Sequence, residues 1–415
     1  MSYRIVPIAS LALALVLTSC SVTTSDGGPP ELLTQLPCSL TAPETLLIGA
    51  DNQFGFDLLR LAAQAQPESN ILLSPLSASM ALGMTLNGAA GTTLDSMRTA
   101  LRLGTASLAE INAAYRSLLN LLAGLDGNTE FRIANSVWTD TGFPFLASFL
   151  DATRTNFDAE VQSLDLQAPA SLGTINGWVN TKTNGKIPTI LDQINAADVM
   201  FLINAIYFKG KWRLPFDPEQ TRTAPFYALH ETQNVATMNL PAALHGHAST
   251  ADAEVIELLY GNGAFAMTIV LPQTGHTLAE LVSEIDAARF ASWVATLHDE
   301  KFGLTLPKFR FEFKRALKDD LSALGMRIAF DGGQADFSQM ANLPQGVRLF
   351  ITSVLQKTFI DVNEEGTEAA AVTAVGVGVT SVPQTIAINR PFLYVLRERL
   401  SGTIFFVGQV NRIPS

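Results

Sequence analysis

Cysteine is nearly absent: the 415 residues hold two, Cys20 and Cys38, both close to the start, so no disulfide framework can staple a core of this size. Histidine is scarce as well, with five in all, and there is no Gly-x-Ser-x-Gly, which leaves a hydrolase little to work with. His245-Gly-His247 would put two imidazoles on one strand face, but it sits in an Ala/Gly/Ser/Thr context without a third ligand nearby. No metal, no cofactor and no catalytic residue of the chain's own are expected. Charge is sparse and of the wrong sign for polyanions: 27 basic against 38 acidic residues give a net charge of −11. Without a Lys/Arg cluster to replace counterions, nucleic acid and heparin-like chains are excluded as main partners.

What is present is apolar. Hydrophobic residues make up 47% and charged residues 16% of the chain, the balance of a well-buried globular protein. Arg4 followed by the apolar stretch Ile5 to Leu17 is too short for a usual membrane span and reads as an export signal over residues 1–19. Leu17-Thr18-Ser19-Cys20 then resembles the bacterial lipobox, which implies a lipid on Cys20. The competing reading is an ordinary cleaved signal, with Cys20 kept by chance or bonded to Cys38 in a disulfide-permissive space. Residues 20–45, rich in Ser, Thr, Gly and Pro, read as a flexible tether.

Globular patterning starts near Asp51, a candidate helix cap, with Phe54, Leu58 and Leu61 on one helical face. Phe265, Met267, Ile269 and Leu271 alternate as in a strand, and so do Phe309, Phe311 and Phe313. Leu317, Leu321 and Leu324 stop at Gly325, a helix with a glycine exit. Strands and helices in mixed runs, without regular βαβ alternation, make the fold class α+β, with one domain over residues 46–415.

Specific strings recur in order along this domain. Asn70-Ile-Leu-Leu-Ser-Pro-Leu-Ser77, Gly88-Ala-Ala-Gly-Thr92, Ile175-Asn-Gly-Trp-Val179 and Gly185-Lys-Ile187 are followed by Asn204-Ala-Ile-Tyr-Phe-Lys-Gly-Lys-Trp212. Leu306-Pro-Lys-Phe309, Leu324-Gly-Met326, Ala335-Asp-Phe-Ser338, Asn363-Glu-Glu-Gly-Thr-Glu-Ala-Ala-Ala-Val-Thr373, Arg390-Pro-Phe392 and Gly408-Gln-Val410 complete the series. Together they resemble the serpin family, serine protease inhibitors that act as suicide substrates. The resemblance implies three β-sheets, eight or nine helices, and an exposed reactive loop, here about residues 364–388, that inserts into the main sheet after cleavage.

The loop's composition fits that task on physical grounds. With a period of two, Thr367, Ala369, Ala371 and Thr373 face one side and Glu368, Ala370 and Val372 the other. The inward face is therefore small and the charge stays outside. Alanine is a poor strand former, so nothing is expected to hold the loop in a strand before it is cut. Glu364, Glu365 and Gly366 open the hinge, and no proline interrupts Gly366 to Val382, so each inserted residue keeps its amide donor. About ten new ladder residues at a net 0.5 to 1.5 kcal/mol per hydrogen bond contribute on the order of 10 kcal/mol.

The family's spacing puts the scissile bond sixteen residues past Glu364, at Thr380-Ser381, and counting back from Asn389-Arg-Pro-Phe392 gives the same bond. Val379 is the alternative bait residue. Small and β-branched residues before the bond suit an elastase-like pocket and leave a trypsin-like one with an unpaired charge. A serine protease is the expected partner, with a cysteine protease as a second class, and the inhibitor is expected to be a monomer. The resemblance assigns Ser74, Ser77, Asn204 and Gln356 to the shutter beneath the sheet, Gln356 standing where the family usually has histidine. It assigns Trp212, Lys308 and Glu364 to the breach where the loop first inserts, with Lys308 and Glu364 as an ion pair. The rival is a serpin that does not inhibit and serves as a binding or carrier module, whose hinge would carry charge or proline.

Overall fold

A computed structural model of the chain describes residues 30–367 and 384–414. The export signal, Cys20, the hinge residues Glu368, Ala369, Ala370, Ala371, Val372 and Thr373, and the bait residues Val379, Thr380 and Ser381 lie outside the described residues. In chain order the elements are α1 (Ala42–Ala65), β1 (Ile71–Leu73), α2 (Pro75–Leu86), α3 (Gly91–Ala100), α4 (Leu108–Ala123), β2 (Glu130–Asp140), α5 (Ala147–Phe157), β3 (Ala159–Leu164), α6 (Pro169–Lys182) and β4 (Met200–Lys211). There follow β5 (Arg222–Tyr227), β6 (Thr232–Ser249), β7 (Ala253–Leu259), β8 (Phe265–Pro272), α7 (Leu278–Glu284), α8 (Ala287–Ala295), β9 (His298–Pro307), β10 (Phe309–Ala316), α9 (Lys318–Leu321), β11 (Leu355–Asn363), β12 (Gly366–Thr367), β13 (Thr385–Ala387), β14 (Phe392–Glu398) and β15 (Ile404–Val410).

The main sheet has six strands in the order β10-β11-β12-β4-β2-β3. All neighbours are antiparallel except β2 and β3, whose parallel pairing needs a crossover, supplied by α5. A second network of nine strands runs β1-β15-β14-β8-β7-β6-β9-β13, with β5 also on β6. The two remaining sheets implied by the family are one network here, because β6 is 18 residues long and changes register against β9 between Leu240 and Ala243. Strands β8, β14 and β15 are buried at every position, so they read as apolar runs more than as alternation. Phe131, Phe208, Phe265 and Phe405 fill the space between the sheets, with ring centroids 5.0–6.3 Å apart. On the opposite face of the main sheet, Ile175 and Val179 of α6 pack on Trp138 and Ile203. Asn176, from the Ile175-Asn-Gly-Trp string, holds the chain at Ile190 and Leu191 through three hydrogen bonds.

Two local expectations change. Helix α1 begins at Ala42, capped reciprocally by Thr41 and Glu44; Asp51 is therefore a buried mid-helix residue and no cap. The domain also starts earlier than residue 46. Leu33, Leu36 and Leu40 pack against the core, so the described part of the 20–45 tether lies on the body. The leucines were invisible to a periodicity reading because their spacing of three and four is split by Pro37. The helix over Leu317–Leu324 is present as α9 and a short irregular turn that ends at Gly325, whose φ is 107°.

Candidate functional site

The start of the hinge is already a strand. Gly366 and Thr367 pair with Asn363 and Val362 on one side and with Lys211 and Gly210 on the other, antiparallel to both. The expectation that nothing holds the loop in a strand before cleavage is corrected for these two residues. Side chains rather than strand propensity do the holding. Thr367 is buried, and its hydroxyl lies 2.7 Å from that of Tyr260. Tyr260 stacks on Trp212 at 4.4 Å and 15°, and the Trp212 indole N–H donates to the Asn363 carbonyl at 2.9 Å. Burial raises the Tyr260 phenol well above its ordinary value, against the hydrogen bond with Thr367, so it stays protonated.

Glu364 anchors the turn before β12. One carboxylate oxygen meets Lys308 Nζ at 2.8 Å and the other accepts from Thr221 Oγ1 at 2.7 Å. Burial works against the charged form, yet these two partners hold the Glu364 carboxyl below its ordinary value. The backbone adds bonds from Phe216 N to Glu364 O and from Trp212 N to Glu365 O, at 2.9 and 2.8 Å. The neighbouring Glu365 carboxyl goes the other way: burial raises it, and one of its oxygens has no hydrogen-bond partner. Lys308 and Glu364 are thus brought together, with Trp212 bonded to the flanking Asn363 and Glu365 carbonyls; Tyr260 and Thr221 escaped sequence reading because neither belongs to a recurring string.

Gly366 is required by close approach. A Cβ there would lie 1.9 Å from the Gly210 carbonyl oxygen, an overlap that only backbone movement relieves. Gly366→Ala is therefore expected to push β12 out of the sheet. Hydrogen exchange would report it as faster exchange at Thr367 and Lys211, and unchanged protection would contradict the placement.

Of the residues that the resemblance assigned to the shutter, Gln356 makes a bidentate contact: it accepts from Ser74 N at 3.0 Å and donates to Ser74 O at 2.7 Å. The Ser74 hydroxyl donates to Phe405 O at 2.7 Å. The Ser77 hydroxyl donates to the backbone carbonyl of Asn204 at 3.5 Å, and the Ser77 amide donates to the Ser74 hydroxyl at 3.4 Å. The Asn204 side chain turns to Asn135 on β2 at 2.7 Å, leaving its own Oδ1 buried without a partner. Ser74 and Gln356 are thus brought together, while Asn204 is held by a residue that sequence reading missed. Among the described residues, β4 and β11 share no ladder below β12. A cavity of about 310 Å³ opens in that interval, lined by Ser77, Asn204, Leu355, Gln356, Phe337 and Met340 among others.

Residues 49–413 match the family described as Serpin (serine protease inhibitor). The chain belongs to the serpin family. Among its relatives, Iripin-2 of Ixodes ricinus is 33% identical over 380 residues, covering 89% of this chain and 94% of that protein. Leukocyte elastase inhibitor of Homo sapiens is 30% identical over 383 residues, covering 88% and 99%. Among solved structures, human thyroxine-binding globulin complexed with thyroxine has a TM-score of 0.81 at 27% identity over 90% of this chain and 100% of that one. The thermophilic serpin tengpin in its native state has a TM-score of 0.80 at 27% identity over 93% and 97%. A leukocyte elastase inhibitor and a thyroxine-binding globulin are both similar to this chain, so function has to be argued from the hinge. In the His245-Gly-His247 pair, His247 is held between Glu254 and Glu300 at 2.7 and 2.6 Å; no group of three or more ligating side chains suited to a metal occurs among the described residues.

Proposed function

We propose that this serpin inhibits a serine protease by presenting Thr380-Ser381 as bait, with Val379 as the alternative, and trapping the acyl-enzyme as the hinge inserts into the main sheet. The observation that carries this reading is β12: two hinge residues form a strand between β11 and β4, directly above an interval in which those strands make no ladder. The strand that follows would continue this alignment, with Ala369, Ala371 and Thr373 on the Thr367 face. In this mechanism the target's serine attacks the Thr380 carbonyl, the peptide bond to Ser381 breaks, and the new amino terminus leaves with a proton from the target's own catalytic base. Thr380 stays esterified while the hinge moves into the sheet. The serpin supplies no catalytic group. A carrier role is disfavoured, because the residues that would insert are small and carry neither proline nor inward charge.

The bait sequence selects elastase-like enzymes, and a leukocyte elastase inhibitor among the relatives supports that class. Thr380→Arg tests the assignment. The variant is expected to form a denaturant-stable complex with trypsin and to lose the one with elastase. A variant that keeps its elastase complex would move the bait residue elsewhere.

Export and lipid on Cys20 complete the reading. With residue 30 already on the body, ten residues separate it from Cys20, a span of at most about 35 Å fully extended. The anchored inhibitor would then hold its breach end close to the bilayer. Cys20→Ser is expected to release the protein from the membrane fraction; retention would remove the lipid from the account.

A further inference from the structure

Residues 30–36 bond to the breach by their backbone. Arg213 donates to the Pro30 carbonyl at 2.6 Å and to the Gly261 carbonyl at 3.1 Å. Leu33 N–H donates to the Asn262 carbonyl at 2.8 Å, and Arg399 donates to the Leu33 carbonyl at 2.5 Å and to the Gly263 carbonyl at 2.8 Å. Leu32 lies over Gly263, where a Cβ would come within 2.4 Å of its methyl. The turn that receives the segment is itself held from below, since Asn262 donates to the Leu125 carbonyl at 2.8 Å.

Both anchor points adjoin the residues that grip the hinge. Arg213 follows Trp212, and Gly261 follows Tyr260, the stacked pair that holds Asn363 and Thr367. Arg213 N also bonds to Leu259 O, and Gly261 N to Lys211 O, at 2.7 and 2.9 Å. Lys211 is the ladder partner of Gly366.

We propose that Arg213, the Gly261–Gly263 turn and Arg399 form a binding site for an extended, leucine-bearing peptide, filled by the chain's own residues 30–36, and that its occupancy stiffens the breach against further insertion of the hinge. The site reads its ligand mainly through backbone groups, two carbonyls and one amide, so it recognises extended conformation and a leucine side chain over the bare Gly263 backbone. A segment that leaves this site frees Arg213 and the turn together, and with them the Trp212–Tyr260 stack. Anything that pulls on or cuts the chain ahead of residue 30 thereby acts on the hinge.

The site presupposes the hinge geometry but not the trapping of a protease, so it is tested without one. Leu33→Pro removes the amide donor in the full chain, at a half-buried residue that packs against the core from outside it. The amides of Lys211, Gly366 and Thr367 are expected to exchange about three- to tenfold faster in the variant, the worth of one lost hydrogen bond. A synthetic peptide carrying residues 30–36 is expected to bind the variant and restore slow exchange, and to bind the unmodified chain weakly because its site is filled. Exchange at the three amides that is the same in variant and parent would overturn the proposal. So would a Leu33 amide in the unmodified chain that exchanges at the rate of an unstructured peptide, a measurement that stands whether or not the variant folds.

Discussion

Thr367→Arg is expected to leave the reactive loop cleavable while abolishing the trap. The threonine hydroxyl meets the Tyr260 phenol at 2.7 Å, under the Trp212 ring, and the residue is buried. A guanidinium at this position has to be buried between aromatic rings or stay outside and pull β12 from the sheet. A buried charge without a matched partner costs about 3–5 kcal/mol. Each 1.4 kcal/mol is a factor of ten in rate, so insertion slows by at least about a hundredfold and deacylation wins the competition. The measurement is a titration of target with inhibitor: the variant should be consumed by cleavage, with no complex surviving denaturation. Unchanged trapping would sink the insertion reading of the hinge.

Asp51→Asn is expected to stabilise the fold and to flatten its pH dependence. Asp51 lies in the middle of α1, fully buried, and neither carboxyl oxygen has a hydrogen-bond partner. Burial raises its pKa well above the ordinary 3.8, and the nearby Ser79 hydroxyl acts in the opposite direction; that hydroxyl donates to the Leu76 carbonyl at 3.3 Å. A carboxyl whose folded-state pKa is raised binds its proton more tightly when folded. Its contribution is fully present below pH 3.8 and is lost as pH rises from there towards the folded value. Asparagine keeps the shape and cannot ionise, so unfolding at pH 7 should cost about 1–3 kcal/mol more. Denaturant unfolding across pH 4 to 8 checks this. A parent whose slope equals that of the variant would show that Asp51 is not the linked group. Glu364 has the opposite sign: its depressed pKa means that its hold on the breach is present above about pH 4.5 and is lost as acid protonates it.

The ordered strings along the chain made the fold legible, because each marks a constraint that local chemistry explains. Asn176 satisfies the backbone at Ile190 and Leu191, Gly366 admits the Gly210 carbonyl, and Lys308 meets Glu364. Of the hinge residues that period-two alternation put on the inward side, Thr367 is among the described residues, and it is buried. What was not legible depends on long-range partners. Tyr260 sits 107 residues from Thr367, and nothing in either neighbourhood ties them together. Asn204 was expected at a shutter shared with Gln356, but Asn135 on the adjacent strand takes its side chain. Asp51 looked like a cap because caps are the commonest place for aspartate at a helix start; the Thr41 and Glu44 pair performs that role earlier in the chain, on a stretch whose Pro and Ser content resembles a linker. Residues 30–36 were hidden for the same reason, since backbone-mediated docking leaves no side-chain period.

The central claim is that the chain traps a protease through its loop, and one incubation tests it most directly. The purified protein is mixed with pancreatic or neutrophil elastase, with trypsin as the comparison, then resolved by denaturing electrophoresis and analysed by mass spectrometry. The account predicts a denaturant-stable complex with an elastase, together with a released fragment that begins at Ser381. Cleavage within the loop without any complex would contradict it, leaving a serpin fold that is a substrate or a binding module.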